Sequence, residues 1–249
     1  MNALRCEKLF KSFDGVHAVS GVTLEFPASG ITAIIGPNGA GKTTLLNVLT
    51  GFVRPEAGRC FLGSHETTRL PPHRIVLMGV ARTFQNLRLI GRVSALENVL
   101  LARPRQRGEH LLPALLRFGV AREEADNQQE AMRLLHFADL DNLANTSAGE
   151  LSYGQQKLLT LACCLATEAH ILLLDEPVAG VAPEMVANIL TLLRRLSANG
   201  KSIVLVEHDI EAVRRIADLV IVMDEGKVIA QGAAHDVLGR AEIMEAYLG

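Results

Sequence analysis

The sequence predicts an α/β fold, with a largely parallel sheet, an antiparallel β portion near the N-terminus and a helical block inserted midway. Three observations predict it. Short apolar runs of strand length alternate with helical stretches, first at Ile31–Ile35 and again from Ile171 onward. A glycine-rich loop stands between the first of these runs and a helix. Strand signals then disappear from about Leu87 to Ala166.

The elements follow in order. Residues 4–13 and 17–26 read as two strands joined at Asp14 and Gly15, a tight-hairpin pair. Ile31–Ile35 is a short buried strand, and a helix runs from about Gly41 to Leu49, stopped by Gly51 and Pro55. Gly58–Leu62 is a further strand of the antiparallel kind. In the inserted block, Leu96–Leu101, Leu111–Phe118 and Glu123–Phe137 look helical. Ile171–Leu174, Ile203–Glu207 and Leu219–Met223 are buried strands with helices between them. A last strand, Lys227–Ala230, precedes a short C-terminal helix. These boundaries make the chain one domain, with residues 1–86 and 167–249 as core and 87–166 as helical subdomain.

Composition narrows the function. Hydrophobic residues make up 49% of the 249, enough for one large core. A net charge of −2 and 4% aromatic residues supply neither the basic field nor the stacking platform of a nucleic-acid binder, so no nucleic-acid partner is expected. Arg103, Arg105 and Arg107 read as a solvated loop. The cysteines Cys6, Cys60, Cys163 and Cys164 form no CxxC pair, which points to reduced core thiols. The first ten residues, MNALRCEKLF, lack the apolar core of a signal peptide. Leu158–Ala166, the longest apolar stretch, is about half a membrane span. The chain is therefore expected to reach a membrane only through a partner.

Residues 36–44 read GPNGAGKTT and match the pattern GxxxxGK followed by Ser or Thr. In such a loop the backbone N–H groups of Gly36, Pro37, Asn38, Gly39, Ala40 and Gly41 (the proline, without an N–H, excepted) turn toward phosphate oxygens. Lys42 brings charge to the β- and γ-phosphates, and the Thr43 hydroxyl can ligate Mg²⁺. Thr44 closes the motif at the helix N-terminus, whose dipole adds positive charge. The expected ligand is ATP. A nucleotide site also needs a metal ligand and a base, and ILLLDEP at 171–177 offers both. Asp175 at the strand end can hold Mg²⁺ through water, Glu176 can polarise the attacking water, and Pro177 ends the strand.

A phosphate loop and an acidic strand end suit many NTPases. LSYGQQ at 151–156 is more restrictive. It resembles the signature of the ABC (ATP-binding cassette) family, usually LSGGQ: Leu151, Ser152, Gly154 and Gln155 match, and Tyr153 replaces the first glycine. Ser152 is a suitable N-cap for the helix that follows. The resemblance implies a P-loop NTPase fold, a RecA-like core with an N-terminal antiparallel β subdomain and an inserted ABC helical subdomain. It also implies that the signature grips the γ-phosphate held by a second subunit, so that two chains sandwich two ATPs. Three more positions carry family roles by resemblance. Gln85, in RTFQNLRL, stands at the Q-loop and would sense metal and γ-phosphate. His208, after IVLVE, stands at the switch histidine. Phe13 stands where an aromatic stacks on adenine; the residues alone equally allow a core strand position. The D-loop departs from the usual SALD: Val178, Ala179, Gly180, Val181 and Ala182 lack its acid.

GVARTFQNLRL at 79–89, SALENVLLA at 94–102, AGVAP at 179–183 and the terminal AYLG look like the ATPases of branched-chain amino acid importers. Related branches serve urea or amide uptake and lipopolysaccharide export. That resemblance implies two integral-membrane permeases, a second ATP-binding subunit, a periplasmic solute-binding protein, and a peripheral place on the cytoplasmic face of the inner membrane. Leu87–Val99 is the candidate permease contact, with a helical core edge as its other reading. Two further classes compete. DNA-repair ABC ATPases insert a long coiled coil between P-loop and signature, whereas only residues 45–150 lie there, and ribosome-acting ones hold two cassettes. A non-catalytic cassette is opposed by the intact Lys42, Asp175, Glu176 and His208.

Overall fold

The computed structural model describes residues 4–104 and 120–240. The expected Leu111–Phe118 helix, Arg105, Arg107 and the AYLG terminus lie outside them. The N-terminal hairpin pairs β1 (Leu4–Phe13) with β2 (Val16–Phe26) antiparallel. Its turn residues Asp14 and Gly15 have φ of 47° and 86°, the double left-handed geometry that matches the twist of a two-residue hairpin. β4 (Ala57–Leu62) pairs with the other edge of β1, and the two-residue β5 (His65–Glu66) extends β4, giving the order β2-β1-β4-β5.

The second sheet has six strands in the order β10-β9-β3-β8-β7-β6. They are β3 (Gly30–Ile35), β6 (Val80–Arg82), β7 (Ile171–Asp175), β8 (Ser202–Val206), β9 (Leu219–Asp224) and β10 (Lys227–Ala233). All neighbours run parallel except β10, which returns antiparallel to β9. The apolar runs of β3, β7 and β8 are buried on both faces, as a covered parallel sheet requires. Their side chains alternate between two cores. Ala33, Leu172, Leu174, Ile203 and Leu205 face a helical layer, whereas Ile34, Leu173, Val204 and Val206 face α1 (Lys42–Leu49) and the first sheet. Leu45, Leu46 and Leu49 of α1 are fully buried there, each stabilising the fold by about 1.5–3 kcal/mol.

The helical layer is built from α3 (Ala95–Leu101), α4 (Val120–Phe137) and α5 (Tyr153–Ala166), with α6 (Pro183–Ala198) and α7 (Ile210–Ile216) on the same core. Sequence sets these starts. Ser94 and Glu97 cap α3 reciprocally, and Ser152 and Gln155 do the same for α5. Pro183 opens α6, and Asp209 caps α7. The short α2 (Pro72–Leu77), β5 and β6 were too brief to show periodicity, and α8 (Ala234–Leu238) supplies the last helix of the described residues. None of the described helices is long and apolar enough to cross a membrane.

Candidate functional site

The parallel strands deliver their functional loops to one edge, the carboxyl ends of β3, β7 and β8, where open α/β sheets hold their ligands. The loop after β3 needs its glycines. Gly36 has φ 152°, and a Cβ there would lie 2.0 Å from the Met223 carbonyl oxygen. Gly41 has φ 93°, and its Cβ would lie 1.9 Å from that of Ala18. The loop therefore packs backbone against backbone. Lys42, the first residue of α1, curls back so that its Nζ donates to the carbonyls of Gly36 (2.6 Å) and Pro37 (2.9 Å). Burial lowers its pKa from the ordinary lysine value, opposed by the carboxylates of Glu176 and Asp175.

A cleft of about 250 Å³ opens here, lined by Ala18, residues 38–44, Gln85 and Glu176. The Thr43 hydroxyl donates to Asp175 Oδ1 at 3.4 Å. Asp175 is 2% exposed. Its Oδ2 accepts from Arg82 Nη2 at 3.0 Å, and its backbone N–H donates to Thr83 Oγ1 at 3.1 Å. Arg82 Nη1 in turn donates to Asn47 Oδ1 (2.7 Å) and Thr50 Oγ1 (3.3 Å). Its Nε is buried without a partner among the described residues. Burial lowers the Arg82 pKa, and the hydrogen bond and charge of Asp175 oppose that.

Glu176 leaves the strand with φ 51°, a left-handed backbone rare for a residue with a Cβ. Its Oε2 accepts from Gln85 Nε2 at 3.1 Å, and its Oε1 lies 3.7 Å from His208 Nδ1. Gln85, Glu176 and His208 thus meet beside the phosphate loop, although they come from three strand ends. Behind them, Glu207 is 2% exposed and accepts from the N–H groups of Val178 (3.0 Å) and His208 (3.3 Å). Burial raises its pKa.

Two groups of expected site residues lie elsewhere. Phe13, 45% exposed at the hairpin end under Lys11 Nζ at 4.9 Å, does not line the cleft. Nor do Leu151, Ser152, Tyr153, Gly154 and Gln155. Ser152 is the N-cap of α5: its N–H donates to Gln155 Oε1 (2.9 Å) and its hydroxyl accepts from the Gln155 N–H (3.4 Å). Sequence reasoning missed Arg82, Asn47, Thr83, Lys157 and Glu207. For Arg82, Lys157 and Glu207 the available signal was a lone charge at the end of an apolar run, as in GVAR, KLLTLA and IVLVE; Asn47 and Thr83 carry no such signal.

Comparison with known proteins agrees with this geometry. The family model described as ABC transporter matches residues 19–179. The chain is 38% identical, over 99% of its length and 97% of the relative's, to the high-affinity branched-chain amino acid transport ATP-binding protein BraF of Pseudomonas aeruginosa. It is 37% identical, over 97% of its length and 95% of the relative's, to the corresponding LivG of Escherichia coli. Among solved structures, a nucleotide-free ATP-binding cassette from an ABC transporter superposes with a TM-score of 0.86 at 33% identity, covering 100% of both chains. A bacterial ABC transporter cassette solved as a dimer gives 0.78 at 26% identity, covering 93% of this chain and 98% of its own. A post-hydrolysis state of that cassette, bound to ADP and phosphate, gives the same score. With its phosphate loop, its buried Asp175 and the Gln85–Glu176–His208 group at one sheet edge, this chain belongs to the ABC transporter family, as an ATP-binding and ATP-hydrolysing cassette.

Proposed function

We propose that the chain is the ATPase motor of an importer of branched-chain amino acids, seated peripherally on the cytoplasmic face of the inner membrane. The likeness to BraF and LivG over nearly the whole of both chains carries this reading. Its division of labour is a core of residues 1–86 and 167–249 and a helical subdomain of residues 87–166. Its partners are two permeases, a second ATP-binding subunit and a periplasmic solute-binding protein. The surface from Leu87 to Val99 meets the permease.

In hydrolysis, Lys42 releases the Gly36 and Pro37 carbonyls and pairs with the β- and γ-phosphates, while the loop N–H groups of residues 38–44 hold the phosphate oxygens. Phe13 supports the adenine. The oxygen donors Thr43 Oγ1 and Asp175 Oδ1, 3.4 Å apart, suit a hard cation. Thr43, Asp175 and Gln85 would hold Mg²⁺ there, which would supply positive charge to offset that of the phosphates. Glu176 accepts the proton of the attacking water. Gln85 and His208 orient the Glu176 carboxylate and reach the γ-phosphate. Leu151, Ser152, Tyr153, Gly154 and Gln155 close on the ATP of the other subunit, with the α5 N-terminus and the Ser152 hydroxyl as donors. Closure and reopening of the pair drive the permeases.

The test is Glu176→Gln, which keeps the hydrogen bond to Gln85 and removes the base. ATP affinity stays, and turnover falls about 10²–10⁴-fold. Turnover at the wild-type rate would remove Glu176 from that role. For the cargo, cells lacking the chain lose uptake of labelled leucine, isoleucine and valine; intact uptake of these with lost urea uptake assigns the other importer branch.

A further inference from the structure

Resting on the base role of Glu176, we propose that Lys157 is a positioning residue for hydrolysis: from the helix that begins at the signature, its ammonium holds the Glu176 backbone carbonyl and so aims the Glu176 carboxylate at the cleft. Lys157 sits one turn into α5 and is 8% exposed. Its Nζ donates to the Glu176 carbonyl at 2.7 Å. The same carbonyl accepts from the Ala179 N–H at 3.3 Å, and the Glu176 N–H donates to the Val206 carbonyl at 2.9 Å. A left-handed glutamate persists only where its surroundings over-determine it, and Lys157 is the partner among these that comes from the helical layer.

The signature tyrosine joins this contact. Tyr153, four residues before Lys157 on the same helix face, holds the ammonium 5.5 Å from its ring centroid, within cation–π range. A Cβ on Gly180 would lie 3.2 Å from Tyr153 Cε1, so the ring also rests on the loop that follows Glu176. Glycine at position 153 would make neither contact. Burial lowers the Lys157 pKa from the ordinary lysine value, and the carboxylates of Glu207, Glu176 and Asp175 oppose that. Signature helix and hydrolytic loop of one chain are therefore joined through Lys157 and Tyr153.

The experiment compares Lys157→Met, Lys157→Gln, Lys157→Arg and Glu176→Gln in the full-length chain, measuring phosphate release against ATP concentration, nucleotide affinity and thermal midpoint. Met and Gln should lower kcat roughly tenfold to a hundredfold, the cost of a misplaced catalytic group, with KM and nucleotide affinity near wild type. Arg, which still donates to the carbonyl, should recover most of the rate. Wild-type kcat in folded Lys157→Met or Lys157→Gln overturns the inference. So does a kcat loss that tracks nucleotide affinity or melting, or one that Arg does not repair. If Glu176→Gln is inactive while Lys157→Met is normal, this inference alone fails; if Glu176→Gln turns over normally, the base role fails first and takes this one with it.

Discussion

The buried pair of Arg82 and Asp175 makes a quantitative prediction. Their side chains are 3% and 2% exposed, and the Nη2–Oδ2 distance is 3.0 Å. Arg82→Met fills most of the same volume, so the cavity contribution is small, but it strands a carboxylate. Among the described residues, Asp175 would keep only the 3.4 Å contact to Thr43 on its side chain, and Asn47 Oδ1 would lose a 2.7 Å donor. Removing one member of a buried pair costs about 3–5 kcal/mol, chiefly through the uncompensated charge. At about 2–4 °C per kcal/mol for a chain of this size, the thermal midpoint should fall by about 6–20 °C, read by near-UV circular dichroism without nucleotide. Adding Asp175→Asn to Arg82→Met should recover a large part of the loss, because the stranded charge is gone. A fall of less than about 2 °C, or additive losses in the double variant, would show that Asp175 is not held by Arg82 and would refute the reasoning.

Two further outcomes follow from the geometry of the site. Gly41→Ala forces a Cβ to within 1.9 Å of the Ala18 carbonyl oxygen, so the phosphate loop must shift and nucleotide affinity should drop at least about tenfold, the equivalent of 1.4 kcal/mol. Gly15→Ala, with φ 86° but nothing within 4 Å, should cost only about 1–2 kcal/mol of backbone strain and leave affinity unchanged; equal effects of the two in a fluorescent-nucleotide titration would refute the packed-loop account. Burial raises the Glu207 pKa from 4.5, so the folded state binds a proton more readily than the unfolded chain. That stabilisation is complete below pH 4.5 and fades as pH rises through the raised folded value. Glu207→Gln carries no such titration, so its melting temperature should gain on wild type as pH climbs above 4.5; a pH-independent difference would place the titration elsewhere.

The legible parts of the fold are those where local pattern and tertiary fate coincide. Ile31–Ile35 and Ile171–Leu174 are apolar throughout because both faces of β3 and β7 are covered, so a run without alternation carries the signal by itself. Asp14 and Gly15 announce the hairpin because their backbone angles are a local matter. α2, β5 and β6 escape because six, two and three residues cannot display a period. In the site, the phosphate loop is legible because its chemistry is contiguous. Arg82 with Asp175, Lys157 with Glu176 and Glu207 with Val178 are separated by 93, 19 and 29 positions, and only the assembled sheet edge brings them together.

The adjacent carboxylates show where the chain alone is least informative. Successive residues of a strand point to opposite faces, so Asp175 and Glu176, continued as strand, would point apart. The turn to φ 51° at Glu176 lifts it out of that alternation and brings its carboxylate to Gln85 and His208, on the same cleft that Asp175 borders through Thr43. Their roles then diverge by environment. Asp175 is enclosed, paired with a guanidinium on one oxygen and set against the Thr43 hydroxyl on the other, which fits it to face a cation. Glu176 keeps a partly open face beside Gln85 and His208, which fits it to meet the attacking water. The backbone angle that separates these roles is held by contacts from β8, from the following turn and from α5. A substitution that relaxes it should therefore impair turnover while leaving nucleotide binding intact, the pattern expected of Lys157→Met and not of Gly41→Ala.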